Sequence, residues 1–355
     1  MRRALQSVCK RWRATITGTG FVRRHLERSR HRSSLVIMPR RHEQDHRKVL
    51  AGVTFYRFEP RNPKVAELIL EKIIPKGIPI FSVPLHCDGL ILIPCLLGRI
   101  FVCNPATREV AFGFDPWSGK YKVARHFLRS YKEDGEGTVL EYSAGHEVLT
   151  LGDGEDAWKW KVTMDPPYAI NSRTPICLPG SFYWSAFHST GHGEDNASKH
   201  VILRFNLQDE TFTVHPNPPC RGFLSKHDTM CELGGKLCYL HSASPWDVAI
   251  WLAENGPELT WSLRCHISLP LPRQLRCSVC PSPPAEQDKV FLSVDVWCLV
   301  KCDLRDGSLE EVISMSCNML YDNRKGNTFR TGQLIPAAHY MLPCVEWLLR
   351  IRPCK

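Results

Sequence analysis

A hairpin-like pattern of about fifty residues recurs along the body of this 355-residue chain. In each copy an alternating apolar run enters a turn rich in Asn, Asp and Gly, and a second alternating run follows, which predicts two antiparallel strands. A glycine and a further apolar run precede several copies, as at Gly89, Gly180 and Gly235. The residues that open the turns are separated by 49, 53, 48 and 49 positions; they are Asn104, Asp153, Asn206, Glu254 and Asp303.

The repeat predicts a mainly β fold with several short strands in every unit. Five or six units of about four strands are typical of a β-propeller with kelch-like spacing, whereas a pair of β-sandwiches is the alternative that regular hairpins leave open. Helical periodicity is almost absent after residue 80, and the 26 prolines, some clustered as in residues 216–219, suit loops between strands. Most tryptophans fall inside predicted strands, where we expect them to pack between neighbouring sheets.

The first 48 residues differ from this β body. Apolar residues at helical spacing predict an amphipathic helix with a basic back, which ends at residues 18–20 and is followed by a second short helix. The apolar positions are Leu5, Val8, Cys9, Trp12 and Ile16 in the first helix and Phe21, Val22 and Leu26 in the second. We therefore divide the chain into a helical module (1–29), a basic linker (30–48) that contains the short apolar run Leu35–Met38, and a β domain (49–355).

The net charge of +10 is concentrated in this head segment. Residues 1–48 carry 14 Lys and Arg against three acidic residues, whereas the other 307 residues carry 32 basic and 33 acidic groups. A β domain without a positive excess lacks the field that attracts phosphate backbones, so nucleic acid is not an expected partner. No apolar run approaches the roughly 18–20 residues that cross a bilayer, and no secretory signal is recognised; we expect a location in the cytoplasm and/or nucleus and no membrane partner.

The 16 cysteines and the polar turns show no pattern typical of a metal or catalytic site. Only Cys277 and Cys280 have the two-residue gap of a zinc knuckle, and no second such pair follows. Cys298 and Cys302 fit alternating positions of a strand, and we expect buried free thiols. No nucleophile elbow, calcium loop or phosphate-binding glycine loop is present. The sequence therefore predicts no enzyme activity, no metal and no cofactor.

Several segments resemble a known family. Val8–Arg13, together with Phe21 and the stretch after it, resembles the C-terminal half of a plant F-box motif. Cys87–Leu92, Phe101–Arg108 and Leu203–Thr211 resemble the F-box-associated domain that stands next to that motif. The resemblance spans about residues 4 to 350. It implies a kelch-like, β-propeller-like F-box-associated domain preceded by a short α-helical partial F-box.

The resemblance implies a non-catalytic substrate-recognition subunit of a Skp–Cullin–F-box E3 ubiquitin ligase. The helical module would bind a Skp-type adaptor and thereby the cullin ligase, while the β domain binds a protein target that the sequence does not identify. The adaptor-binding residues that the resemblance implies are Leu5, Val8, Cys9, Trp12 and Phe21. The usual opening of an F-box would precede Ala4, so we expect an N-terminally truncated F-box with weakened or lost adaptor binding.

Two alternatives stay open at this point. In the first, the chain is a stand-alone β-propeller-like interaction scaffold that has lost adaptor binding through F-box truncation. In the second, the arginine-rich head is an organelle-targeting peptide, since Met1–Arg24 has no acidic residue. Co-purification with a Skp-type adaptor separates the ligase subunit from the scaffold, and the mature N-terminus tests the targeting peptide.

Overall fold

The structure, a computed structural model, describes much of the β domain and little of the head segment. The residues described are 21, 24, 34–40, 49–59, 64–79, 84–87, 90–94, 100–103, 114–133, 139–151, 159–170, 175–188, 199–220, 228–244, 246–269, 279–281, 288–294, 298–315, 317–322, 327–331 and 338–343. The helices predicted in residues 1–29 lie outside this part except at Phe21 and Arg24, which are helical. Within the described residues, no helix has the length and apolar character needed to cross a bilayer.

In these ranges the chain forms 26 strands. In chain order they are β1 (Leu35–Arg40), β2 (Val49–Phe58), β3 (Val65–Pro79), β4 (Leu85–Cys87), β5 (Leu90–Pro94), β6 (Ile100–Cys103), β7 (Phe114–Asp115), β8 (Lys120–Glu133), β9 (Val139–Leu151), β10 (Trp160–Val162), β11 (Ala169–Ile170), β12 (Ile176–Leu178), β13 (Ser181–His188), β14 (Lys199–Asn206), β15 (Thr211–Pro216), β16 (Thr229–Leu233), β17 (Lys236–Ser242), β18 (Asp247–Ala253), β19 (Trp261–Ser268), β20 (Val279–Pro281), β21 (Lys289–Val294), β22 (Cys298–Asp303), β23 (Leu309–Ser314), β24 (Leu320–Asp322), β25 (Thr328–Phe329) and β26 (Ala338–Pro343). The mainly β fold predicted from the repeat is confirmed.

Hydrogen bonds join these strands into six sheets among the described residues. Sheet 1 has the order β25-β24-β3-β2-β1-β26, sheet 2 is β4-β5-β6, and sheet 3 is β10-β9-β8-β7. Sheet 4 has the order β11-β13-β14-β15 with β12 also paired to β13, sheet 5 is β16 to β19, and sheet 6 is β20 to β23. Sheets 2 to 6 therefore each use a contiguous stretch of chain, as a hairpin repeat requires.

The sheets pack on one another in a closed ring. Val53 of sheet 1 shares a core with Ile91 of sheet 2, and the neighbouring Leu92 shares another with sheets 3 and 4. The remaining seams join sheets 4 and 5, 5 and 6, and 6 and 1; representative pairs are Ile202 with Tyr239, Ile250 with Val300, and Phe291 with Tyr56. Because the last sheet returns to the first, the fold is a β-propeller and the alternative of paired β-sandwiches is wrong.

The ring is closed by pairing the two ends of the described chain. β1 is hydrogen-bonded to β2 on one side and to β26 on the other, and the latter pairing runs from Leu35 opposite Pro343 to Arg40 opposite Ala338. Four consecutive β1 residues, Leu35 to Met38, are at most 2% exposed. The interpretation of residues 30–48 as a basic linker is therefore wrong for Leu35–Arg40, because this apolar run fills a central place in sheet 1.

In sheets 3, 5 and 6 the connections between the first and second strands and between the third and fourth strands lie at one end of the sheet, and the connection between the second and third strands lies at the other. In sheet 4, Ser181 lies opposite Asn206, so the β12–β13 and β14–β15 turns share an end. The Leu207 amide there donates to the Gly180 carbonyl at 3.0 Å. Gly180 has φ +79° and packs against Trp117 of the corresponding turn in sheet 3. We call this side of the ring the turn end and the opposite side the loop end.

Two of the predicted turn-opening residues are seen to act as such. The Asn206 side-chain oxygen accepts from the Gln208 amide at 3.0 Å, and the Asp303 carboxylate accepts from the Arg305 amide at 3.0 Å. Both are Asx turns, in which a side chain takes the place of a backbone acceptor. Asn104 and Asp153 lie outside the described residues.

The expected burial of thiols is seen at some of the described cysteines, whereas Cys177, Cys220 and Cys231 are half-buried and Cys317 is exposed. Cys298 and Cys302 lie on β22, and both are buried, as predicted from their alternation along the strand. Cys277 lies outside the described residues.

Candidate functional site

The loop end carries a long two-stranded arm. β8 and β9 contain 14 and 13 residues, whereas the equivalent strands of sheet 4, β13 and β14, contain eight each. Pairing continues up to Glu133, which lies opposite Val139. At about 3.3 Å per residue, the extra length corresponds to roughly 20 Å of projecting hairpin. The arm is the most distinctive described feature of this face.

An arginine fixes the arm to the connection that follows β10. The Arg129 guanidinium donates to both Asp165 carboxylate oxygens, at 2.7 and 2.8 Å, and to the Ala144 carbonyl at 2.8 Å. The hydrogen bond and the opposite charge lower the pKa of Asp165 and raise that of Arg129. Both side chains are partly exposed, so the ion pair adds little stability. Its bidentate geometry, however, holds the β8–β9 arm and the connection after β10 in one relative position.

Apolar side chains lie beside this ion pair. Phe127 lies opposite Gly145, and a Cβ on that glycine would be 2.6 Å from the Phe127 ring. The ring therefore lies flat across β9, and Arg129 stands over it at 5.9 Å from the ring centre. Met164, which immediately precedes Asp165, is 57% exposed. Aromatic, methionine and arginine side chains of this kind are enriched in protein interfaces.

In sheet 5 the loop end is braced by a buried carboxylate. Asp228, 3% exposed, accepts from the Tyr239 hydroxyl at 3.1 Å, from the Ser242 amide at 2.9 Å and contacts Nδ1 of His241 at 3.0 Å. A carboxylate with these partners holds the end of β17 against the start of β16. The β17–β18 connection, fixed in this way, presents Trp246 with 47% of its surface exposed.

Phe127, Met164 and Trp246 are the exposed side chains that make this face a candidate binding site. The Asp228 network is buried beneath the loop end, and its hydrogen bonds brace the sheet rather than activate a nucleophile. Among the described residues, no group of three or more His, Cys, Asp or Glu could hold a metal ion. Exposed apolar and arginine side chains on braced connections can instead recognise another protein by shape.

The predicted adaptor-binding residues are not brought together in the part that the structure describes. Leu5, Val8, Cys9 and Trp12 lie outside it, and Phe21 is helical with 39% of its surface exposed. Sequence reasoning missed the arm of β8 and β9. The available signal was the alternation in residues 120–133 and 139–151, which flank a Gly- and Asp-rich turn.

Known proteins share this architecture and parts of this sequence. The family model of the F-box associated beta propeller domain matches residues 71–282. An F-box/LRR-repeat/kelch-repeat protein of Arabidopsis thaliana is 27% identical over 233 residues, which cover 55% of this chain and 55% of that protein. An F-box/LRR-repeat protein of the same plant is 24% identical over 293 residues, covering 74% and 62%. The chain thus spans little more than half the length of these relatives.

A solved structure gives a weaker likeness. Oligogalacturonate lyase in complex with manganese has a TM-score of 0.46 at 12% identity, over 86% of this chain and 90% of that one. A likeness at that level carries no argument about function.

Fold and sequence together define a plant-type β-propeller of the kind associated with F-box proteins. The matched family model covers more than half of the chain, from β3 into the region after β20. The chain belongs to the F-box-associated β-propeller domain family. The resemblance noted at Cys87–Leu92 and Leu203–Thr211 is therefore confirmed.

Proposed function

We propose that the chain is the target-recognition subunit of a Skp–Cullin–F-box E3 ubiquitin ligase and that it binds a target protein through the loop end. The observation that carries the proposal is membership of the F-box-associated propeller family, together with relatives that are themselves named F-box proteins. The chain itself performs no chemical step in this role, since ubiquitin transfer belongs to other subunits. We place it in the cytoplasm and/or the nucleus.

The pairing of β1 supports a target site and an adaptor site at opposite ends of the propeller. Leu35 lies opposite both Phe58 and Pro343, which end β2 and β26. The chain preceding Leu35, which includes the adaptor-binding residues implied by the resemblance, therefore joins sheet 1 at the end where β2 and β26 finish, which we infer to be its turn end. A target held at the loop end then lies on the face away from that junction. Tethering of this kind raises the concentration of a target near the ubiquitin-loaded enzyme.

The adaptor half of the proposal is tested by binding of the full chain to a purified Skp-type adaptor. We expect measurable binding, and we expect Trp12→Ala to weaken it by about 2 kcal/mol, or roughly 30-fold in Kd, because buried aromatic side chains dominate such interfaces. Trp246→Ala is the matched control, since it removes a tryptophan at the loop end. If the full chain does not bind the adaptor, the ligase role is contradicted and the alternative of a stand-alone interaction scaffold is favoured.

The target half is tested by proximity labelling with the full chain in plant cells. A target bound at the loop end should lose labelling with Trp246→Ala or Met164→Ala. Leu263→Ala is the control, because Leu263 is also exposed but lies on β19, the outer strand of sheet 5. Equal labelling in all three variants would show that the target binds elsewhere.

A further inference from the structure

β10 is the last strand of sheet 3 and forms its outer edge. It pairs with β9 on one side, from Trp160 opposite Leu149 to Val162 opposite Glu147. The sheet order β10-β9-β8-β7 places no described strand on its other side. An outer strand therefore has one row of backbone amides and carbonyls that its own sheet does not use.

One hydrogen bond identifies the residues of β10 whose backbone faces outwards. The Thr163 amide donates at 3.0 Å to the carbonyl of His146, the residue that the register places directly opposite. In antiparallel strands, opposite residues that share such bonds alternate with opposite residues that do not. Thr163 and Lys161 are therefore bonded to β9, whereas the amides and carbonyls of Trp160 and Val162 point away from it. Among the described residues, these outward groups have no backbone partner.

The last strands of sheets 4 to 6 carry features that hinder further pairing. The register between β18 and β19 shifts so that Arg264 is an extra residue of β19, and the register between β22 and β23 shifts so that Val312 is an extra residue of β23. β15 ends at Pro216, which has no amide. Bulges and prolines protect natural sheet edges from added strands. β10 pairs with β9 without a register shift and contains no proline, so its edge stays regular.

One face of β10 is apolar and electrically neutral. Trp160 and Val162 point to this face, and Val162 is 62% exposed. The Arg125 guanidinium lies over the Trp160 ring at 4.1 Å from the ring centre. Its charge is compensated by Glu147, whose carboxylate is 2.7 Å away. Apolar side chains of an added strand would lie beside Val162 on this face and remove it from water.

The opposite face of β10 has a positive excess among the described residues. Lys159 and Lys161 alternate with the apolar residues, and both are exposed. Lys161 contacts the Glu210 carboxylate at 2.8 Å, but the same carboxylate lies 3.3 Å from Lys122. One carboxylate thus serves two ammonium groups, and Lys159 adds a further positive charge. Acidic side chains on an added strand complement this face.

We propose that the outer edge of β10 binds an extended segment of a partner protein in which apolar and acidic residues alternate. The segment continues sheet 3 as an antiparallel strand, and its backbone is hydrogen-bonded to Trp160 and Val162. Its apolar side chains lie beside those two residues, and its acidic side chains lie beside Lys159 and Lys161. In strand addition the backbone bonds provide affinity and the alternate side chains provide specificity. The inference rests on the recognition role proposed above and names a class of target for it.

A partner segment fits this edge better than a second copy of β10. Pairing of two copies would bring Lys159 and Lys161 of both chains to one edge, and like charges on opposite strands are unfavourable. β10 also leads directly to Met164 and to the ion pair between Arg129 and Asp165. The edge is therefore continuous with the surface proposed for target binding.

Binding of short peptides to the full chain tests the proposal. The probe is a fluorescent peptide of about eight residues in which valine and glutamate alternate, since strands usually have 3–10 residues. Fluorescence anisotropy should show saturable binding, and replacing every glutamate with lysine should weaken it by about tenfold or more. Equal binding of the two peptides, or no binding of either, would overturn the proposal.

Methylated peptides test whether the backbone makes the contact. In the antiparallel arrangement, the valine residues opposite Trp160 and Val162 supply the bonds to β10, and the glutamate amides point away. N-methylation of the valine amides should therefore lower the affinity by about tenfold or more, whereas N-methylation of the glutamate amides should have little effect. Equal effects of the two methylation patterns would show that the peptide is not held as an added strand.

A proline variant provides the matching test on the protein. Val162→Pro removes an amide that points away from β9, and proline is tolerated at such positions of outer strands. It should lower the affinity for the valine–glutamate peptide by about tenfold or more. Val162→Thr keeps the amide and should stay within about threefold of the original chain. Unchanged binding by Val162→Pro would contradict the proposal, and the methylated peptides decide the question with the original chain if this variant does not fold.

Two further measurements separate the proposal from its alternatives. Self-association of the full chain that Val162→Pro abolishes, measured by analytical ultracentrifugation, would show that a second copy occupies the edge and would overturn the proposal. Adaptor binding by the same preparation reports the ligase role independently. Adaptor binding without peptide binding contradicts the edge site alone, whereas peptide binding without adaptor binding contradicts the ligase role alone.

Discussion

Leu35 lies directly opposite Pro343, although the two residues stand near the two ends of the described chain. Their strands, β1 and β26, pair through six residues, and β1 pairs with β2 on its other side. The first and last strands therefore complete one sheet, and this pairing keeps sheet 6 in contact with sheet 1. A ring closed in this way depends on contacts between segments that are distant in sequence, which form late and at a high entropic cost.

The closure can be tested by shortening one buried side chain. Ile37 lies in β1 opposite Met341 and is fully buried. Ile37→Ala leaves a cavity in the shared core and should lower the free energy of unfolding by about 2–5 kcal/mol. Ile73→Ala makes the same change on β3 at a side chain that is 77% exposed, and it should cost less than about 1 kcal/mol. Denaturant unfolding of both variants compares them, and equal losses would show that β1 does not hold the ring.

A second prediction concerns a buried ammonium group between sheets 3 and 4. Lys122 donates to the Leu207 carbonyl at 2.5 Å and lies 3.3 Å from the Glu210 carboxylate. Lys122→Met leaves both acceptors without this donor and should destabilise the fold by about 2–3 kcal/mol. Lys161 contacts the same carboxylate at 2.8 Å, but its side chain is 72% exposed. Lys161→Met should therefore cost less than about 1 kcal/mol, and a ranking opposite to this would contradict the prediction.

A third prediction separates backbone strain from close packing. Gly307 and Gly234 have φ of +75° and +61°, values that favour glycine. Nothing lies within 4 Å of a Cβ built on Gly234, so Gly234→Ala should cost only about 1–2 kcal/mol for the backbone conformation. Gly307→Ala adds an overlap with the His266 carbonyl and should be clearly more destabilising. Thermal unfolding of the two variants measures the difference. Similar unfolding temperatures would show that the backbone between sheets 5 and 6 shifts at little cost to relieve the overlap.

Local sequence signals were sufficient to predict the strands and their turns. Asn206 and Asp303 open Asx turns because their side chains reach an amide two residues further on, a contact that neighbouring residues decide. The burial of Cys298 and Cys302 likewise follows from alternation along one strand.

Contacts between distant segments could not be predicted in the same way. Leu35–Arg40 is a short apolar run in a basic stretch, and only its pairing with β26, far along the chain, makes it a central strand. The Asp228 network was equally hidden, because the sequence does not show that one carboxylate will meet Tyr239 and His241 inside a sheet. The position of a strand within a sheet and the partners of a buried carboxylate depend on tertiary packing, which overrides local propensity.

The last prediction concerns a neutral histidine in an aromatic core. His146 is fully buried, its Nδ1 lies 2.6 Å from the Thr163 hydroxyl, and its ring centre is 4.5 Å from that of Phe205. Its Nε2 is buried without a hydrogen-bond partner. Burial first, and the charge of His126 on the opposite strand second, lower the pKa of His146 to about 4, while Asp165 and Glu210 act in the opposite direction. The folded protein therefore excludes the charged form.

This depressed pKa makes stability depend on pH in a definite direction. The unfolded chain binds a proton at His146 near its ordinary pKa of 6.5, whereas the folded chain does so only near 4. The folded state is therefore fully favoured above about pH 6.5 and loses stability as the pH falls towards 4, by an amount on the order of 3 kcal/mol. His146→Phe keeps an aromatic ring among these neighbours and removes the titration, so its unfolding free energy should fall less over this range. Denaturant unfolding from pH 7 to pH 4 compares the two chains, and parallel profiles would show that folding does not lower the pKa of His146.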